Sequence, residues 1–190
     1  GDSVTYTASG SDILIDSGSG VITFSSAPDY ETKTSFTSLV TATDGLNSST
    51  QDITIAVNNL NDNSPVLTSV TDFTIDENTS AVGTISGSDA DGDELAYSIS
   101  GTDADSLSID SGAGVLSFNE TTDYETKTSY SLNLIISDGV NSVTNAATIS
   151  INNLNDNSPT FTSDDTFSIA ENESSIGTAS ATDADTGSSV

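Results

Sequence analysis

The chain repeats itself at a fixed interval, and that interval limits what it can fold into. The residues NNLNDNSP stand at Asn58–Pro65 and return unchanged at Asn152–Pro159, 94 positions on. DYETKTS at Asp29–Ser35 recurs at Asp123–Ser129, and IDSGSGVITF at Ile15–Phe24 recurs as IDSGAGVLSF at Ile109–Phe118. ATDGLNS at Ala42–Ser48 becomes ISDGVNS at Ile136–Ser142, again at the same offset. Beyond the second proline the pattern restarts, FTIDEN (Phe73–Asn78) being echoed by FSIAEN (Phe167–Asn172) and DADG (Asp89–Gly92) by DADT (Asp183–Thr186). A strict period of this length means tandem copies of one module, each built around its own core.

The copies divide the chain into residues 1–63, the latter two-thirds of a repeat; 64–158, a complete repeat; and 159–190, the first third of another. Two arrangements account for this. The 190 residues are a window on a longer array, with any targeting segment outside it; or the terminal third is completed by residues 1–63 of a neighbouring chain through strand exchange.

Within the complete repeat the apolar period is two. Tyr130, Leu132, Leu134 and Ile136 alternate with Ser131, Asn133, Ile135 and Ser137, and Ile149 and Ile151 continue the pattern over Thr148–Asn152. Phe73 with Ile75, Val82 with Ile85, Tyr97 with Ile99, Leu107 with Ile109, and Val115 and Leu116 with Phe118 mark further short strands, all expected in the core. Gly, Asn, Asp and Ser punctuate them at turn spacing. The expectation is an all-β chain of tandem seven-stranded Greek-key β-sandwiches with antiparallel strands and immunoglobulin-like architecture.

Charge narrows the function. There are 29 acidic residues against two lysines, Lys33 and Lys127, for a net charge of −27. Nucleic acid needs a basic footprint and is excluded as a partner. No apolar run approaches the roughly 20 residues that span a bilayer, so this segment inserts into no membrane. With no Cys, His, Met or Trp, disulfides, zinc sites and Cys- or His-based nucleophiles are excluded. Carboxylates recurring in every repeat serve a structural cation better than a one-site reaction, so no enzyme is expected. The oxygen-rich motifs suit hard cations.

Five of these motifs together resemble cadherin repeats. They are a glutamate in an xEN strand end, a DYE loop where that family has DRE, a DxNDNxP-like linker, a DxD pair and a late Asp-Gly turn, in the family's order. The resemblance implies calcium-binding junctions with about three calcium ions each. The first junction would draw on Asp29, Glu31, Asn61 and Asp62, the carbonyls of Leu60 and Asn63, and Asp89, Asp91 and Asp138; its xEN glutamate would precede Gly1. The second would draw on Glu77, Asp123, Glu125, Asn155 and Asp156, the carbonyls of Leu154 and Asn157, and Asp183 and Asp185. Its late aspartate would lie beyond Val190, or be Asp44 if chains join end to end.

Two carboxylates about 6 Å apart repel by roughly 0.7–2.8 kcal/mol at effective dielectric constants of about 80 to 20. Six of them, from Glu77 to Asp185, would splay an empty junction, and calcium would stiffen it. The expected function is a calcium-rigidified structural repeat of an elongated extracellular adhesin stalk or filament, its partners being calcium and neighbouring repeats or identical subunits head to tail. The Thr/Ser/Asn-rich composition suits a microbial array better than an animal one. The alternative is a carbohydrate- or partner-binding module that uses Tyr6, Tyr30 or Tyr124 as an exposed platform.

Overall fold

The computed structural model describes residues 3–185. It is all-β apart from one 3-10 turn, and it divides into two compact units. The first takes the chain as far as Asn63 together with Ala90–Asp93; the second takes Ser64–Asp89 and the chain from Glu94 onward.

The first unit contains β1 (Thr5–Ala8), β2 (Ile13–Ile15), β3 (Ile22–Phe24), β4 (Ser35–Thr43) and β5 (Ser48–Ala56). β1, β4 and β5 form an antiparallel sheet in that order, and β2 pairs with β3. Its core is thin. Ile13 is buried, and the Phe24 and Phe36 rings meet edge to face at 4.9 Å.

The second unit opens with β6 (Val66–Leu67), β7 (Asp72–Asp76), β8 (Ala81–Thr84), β9 (Gly87–Ser88) and β10 (Ala96–Ser100). After the 3-10 turn at Ala104–Ser106 come β11 (Leu107–Ile109), β12 (Val115–Phe118), β13 (Ser129–Ser137) and β14 (Ser142–Asn152). A four-stranded sheet, β10-β13-β14-β7, faces a three-stranded one, β11-β12-β8, and β6 pairs with β9. The period-two pattern explains the face each strand buries. Leu132 and Leu134 of β13 form one buried cluster with Ile149 and Ile151 of β14, Leu116 and Phe118 of β12, and Ile85, and Ile136 is fully buried as well. Each such side chain contributes about 1.5–3 kcal/mol by leaving water. β15 (Thr160–Phe161) and β16 (Ala181–Thr182) form a further pair.

Glycines set two of the turns. Gly139, at φ +93, lets β13 reverse into β14, with the Asp138 carboxylate accepting from the Val140 and Asn141 N–H groups at 2.7 and 2.5 Å. Gly114, at φ +69, leaves no room for a side chain, because a Cβ there would sit 2.2 Å from the Ile85 carbonyl oxygen.

The seven expected strands are all present, with two departures and one correction to the core. The short pair β6 and β9 is additional. β7 runs parallel to β14, from Asp72 opposite Thr148 to Asp76 opposite Asn152, rather than antiparallel. Alternation tells which face a strand buries; it does not tell which neighbour the strand chooses. Val115, placed in the core by sequence, is 49% exposed, since Leu116 next to it takes the inward position.

Lys127 and Asp103 pin the 3-10 turn to β13. The ammonium pairs with Asp103 and lies 4.5 Å from the centroid of the Tyr130 ring, while the Ser131 N–H donates to the other carboxylate oxygen at 2.7 Å. These bonds, the Lys127 bond first, hold the Asp103 carboxyl below its ordinary pKa. A lowered folded-state pKa gives stability that is fully present above the unfolded value near 3.9 and is lost as the pH falls through the folded value. Asp103→Ala is therefore expected to cost about 1–2 kcal/mol at pH 7. The gap between the variant's and the parent's urea midpoints should narrow as the pH falls below the unfolded value near 3.9.

Candidate metal centres

In the second unit the site is organised around Glu77, which follows β7 and is 1% exposed. Its Oε1 accepts the Leu154 N–H and its Oε2 the Tyr124 N–H, both at 2.7 Å. One buried carboxylate thereby fixes three chain segments: the end of β7, the DYE loop and the linker. Asn78 takes a left-handed conformation, φ +64, and donates its own N–H to the Thr122 carbonyl at 2.8 Å. Asp123 braces the loop by accepting from the Thr126 N–H at 3.1 Å and the Thr126 hydroxyl at 2.9 Å.

Glu77, Asp123 and Glu125 each offer an oxygen, all within 4.8 Å of one another, and Glu125, Asp156 and Asp185 do the same. Glu125 is common to both groups. At that spacing each carboxylate pair repels by roughly 1–3.5 kcal/mol. Burial, and then the charges of Glu77, Asp185 and Asp123 working against a backbone N–H, hold the Glu125 carboxyl above its ordinary range. Asp185 is held below it, chiefly by the Asn157 side-chain amide.

The first unit carries the equivalent acids. Glu31, Asp62 and Asp91 bring one oxygen each within 4.8 Å of the others, beside a cavity of about 490 Å³ that Asp29, Tyr30 and Leu60 also line. Asp91 is buried, and its Oδ2 accepts the Asp62 and Asn63 N–H groups at 3.1 and 2.8 Å. Asp29 supports Glu31 by accepting its N–H at 3.0 Å.

The remaining expected ligands take more local roles. Asp183 accepts the Asp185 N–H at 2.9 Å. Asp44 and Asp138 each close a hairpin turn, Asp44 accepting from the Leu46 and Asn47 N–H groups. Asp89 is half-buried just after β9. The Leu60 carbonyl accepts the Asp62 N–H at 3.1 Å. Asn61 is half-buried, whereas Asn155 and the linker residue Leu154 are exposed.

Five residues do more at these sites than the sequence indicated. Asn59 donates its amide to the Asp91 carbonyl at 2.7 Å, and Asn78 donates to Asp156. Asn63 and Asn157, singled out for their carbonyls, also use their side chains as donors. Asp93 brings an oxygen within 4.8 Å of one from Asp91; the alternating acids of DADGD were the available signal. The three tyrosines weighed as a binding platform are all half-buried. Tyr124 packs on the core cluster and Tyr30 lines the cavity.

The donor set is all oxygen, from clustered carboxylates with backbone and amide oxygens close by, and it contains no nitrogen or sulfur ligand. That fits a hard divalent cation such as calcium. The match to known proteins agrees with this chemistry. Residues 71–152 match the model for the cadherin domain. This stretch is a cadherin domain. The chain is 32% identical to human Protocadherin-23 over 190 residues, covering 93% of this chain and 6% of that protein. It is 34% identical to mouse Protocadherin Fat 4 over 128 residues, covering 62% of this chain and 3% of that protein. The chain thus spans a small part of these cadherin relatives. In fold it resembles mouse Protocadherin-24 EC1-3, with 26% identity and a TM-score of 0.76 over 96% of this chain and 67% of that one. These relatives are animal proteins, so the microbial source expected from composition finds no support in them.

Proposed function

We propose that the chain is a calcium-clamped spacer, a run of cadherin repeats in the extracellular part of an elongated adhesive protein, and that it carries no catalytic activity. The observation that carries this reading is the pair of three-carboxylate groups in the second unit joined through Glu125. The residues proposed to hold calcium are Glu77, Asp123, Glu125, Asn155, Asp156, Asp183 and Asp185 in one site, with the carbonyls of Leu154 and Asn157. Those of the other are Asp29, Glu31, Asn61, Asp62, Asp89, Asp91 and Asp138, with the carbonyls of Leu60 and Asn63. About three ions per site would balance the acids. When bound, calcium supplies positive charge that turns mutual repulsion into shared coordination.

The chain's own residues do the rest. Glu77 anchors the linker through the Leu154 N–H, so whatever orders the carboxylates also orders the linker. In this reading the repeats run 1–63, 64–158 and 159–190. Asp44 serves only where copies meet end to end. Phe167, Ile169 and Ile176 are 47%, 46% and 63% exposed. Their counterparts Phe73, Ile75 and Val82, one period earlier, pack on the core of the complete repeat. A neighbouring repeat or a second copy covers them, by strand exchange in the latter case.

The test is Asp156→Ala. Asp156 is exposed and bonded to Asn78 and Asn157, so its loss should cost less than about 1 kcal/mol in EDTA. Most of the calcium-induced rise in melting temperature should vanish. Equal calcium responses in variant and parent, followed by calorimetry, would count against the site.

A further inference from the structure

The proposed calcium reading leaves open how two anionic groups come to lie side by side before any cation is present. The linker asparagines answer this in both units with the same three bonds. The Asn63 N–H donates to Asp91 Oδ2 at 2.8 Å. Its side-chain Nδ2 donates to Asp91 Oδ1 at 2.9 Å and to Asp62 Oδ1 at 3.1 Å. One period later the Asn157 N–H donates to Asp185 Oδ2 at 2.9 Å, and its Nδ2 donates to Asp185 Oδ1 at 2.9 Å and to Asp156 Oδ1 at 3.0 Å.

An amide nitrogen carries two hydrogens, so each Nδ2 spends one on either carboxylate. We propose that the side-chain amides of Asn63 and Asn157 are brackets that hold the linker aspartate and the DAD aspartate together in a chelating arrangement ahead of the cation. They are positioning residues, and the inference rests on the calcium reading for what they position. The role is separate from the carbonyl oxygen that the cadherin resemblance assigns to the same residues.

The chemistry explains the choice of residue. Asparagine offers two donors on a short, planar arm and adds no charge. Aspartate at the same position would offer acceptors only and would add a third negative charge to the pair. Alanine would leave the two carboxylates to repel. A carboxylate has about four lone-pair sites, so the one bond that the bracket amide makes to each carboxylate leaves acceptor capacity for a metal. The DAD aspartates are the buried members, 9% exposed for Asp91 and 3% for Asp185. For them a fixed orientation matters most, since little water is at hand to compensate for a poor one.

The experiment compares the parent chain with Asn157→Ala and Asn157→Asp, using calcium titration by calorimetry and metal-free amide exchange at residue 157 followed by NMR. Asn157 is exposed and lies outside the strands, so the sandwich should stay folded, with the dispersion of the core methyl signals as the control. Removing a group that orients a metal ligand commonly lowers metal affinity 10- to 100-fold. Asn157→Ala should therefore weaken the calcium site that contains Asp156 and Asp185 at least about tenfold. It should also speed exchange of the residue 157 N–H in EDTA. Asn157→Asp should fail to restore affinity despite its extra charge. Parent-like affinity in Asn157→Ala, or tighter binding in Asn157→Asp, would overturn the bracket. If the parent chain itself takes up no calcium, the calcium reading fails, and the bracket is then decided by exchange alone: faster in Asn157→Ala supports it, unchanged refutes it.

Discussion

Chelation with EDTA is expected to lower the melting temperature of the complete repeat by about 10–20 °C relative to the same chain in millimolar calcium. A ligand at a hundredfold excess over its dissociation constant stabilises the folded state by about 2.7 kcal/mol. In a domain of this size each kcal/mol moves the midpoint by about 4–8 °C. The carboxylates that gain from the cation, Glu125 with Asp156 and Asp185 above all, are the ones whose mutual repulsion burdens the metal-free chain. Calorimetric scans with and without EDTA, followed by calcium add-back, measure the effect. A midpoint that ignores both treatments would contradict it. Magnesium should restore less than calcium at equal concentration, because its small, rigid octahedral shell suits a crowded set of protein oxygens poorly.

Glu77→Ala should be the most damaging single change among the proposed ligands, and it should act even without metal. The parent carboxylate is buried and satisfies the Tyr124 and Leu154 N–H groups. Alanine leaves both donors without that acceptor, and such losses cost about 1–3 kcal/mol each. The expected fall in EDTA is about 2–4 kcal/mol, or roughly 10–25 °C. Much of the response to calcium should vanish as well. Glu77→Gln separates the two contributions. It keeps one acceptor and most of the shape, so it should recover part of the metal-free stability while remaining poor at binding calcium. Chemical denaturation of the three proteins, with and without calcium, provides the measurement. A Glu77→Ala chain as stable in EDTA as its parent would show that the carboxylate does not hold the linker.

Much of this was legible in the sequence because the sequence is periodic. The offset between the two NNLNDNSP copies framed the repeat, and the alternation Leu132, Leu134, Ile136 gave both a strand and its buried face. Acids at strand ends and in short loops lie close together in the fold, as with Glu77, Asp123 and Glu125. What the sequence did not disclose is the pairing of edges. β7 pairs in parallel with β14 while β6 pairs with β9, and alternation carries no record of either choice. Nor did it reveal the donors. An asparagine in a linker looks like one more oxygen, and only the placement of Asn157 Nδ2 between Asp156 and Asp185 identifies its hydrogens as the working part. Val115 shows the limit of reading apolar runs: two adjacent apolar residues in a strand cannot both face inward.

Crystals of this chain grown in millimolar calcium, with anomalous data collected at a long wavelength, decide whether these carboxylates hold calcium. Strong anomalous peaks are expected, enclosed by the carboxylates of Glu77, Asp123, Glu125, Asp156 and Asp185, and they should disappear from crystals back-soaked in EDTA. Ordinary water density among those oxygens, with no anomalous signal at full calcium concentration, would contradict it.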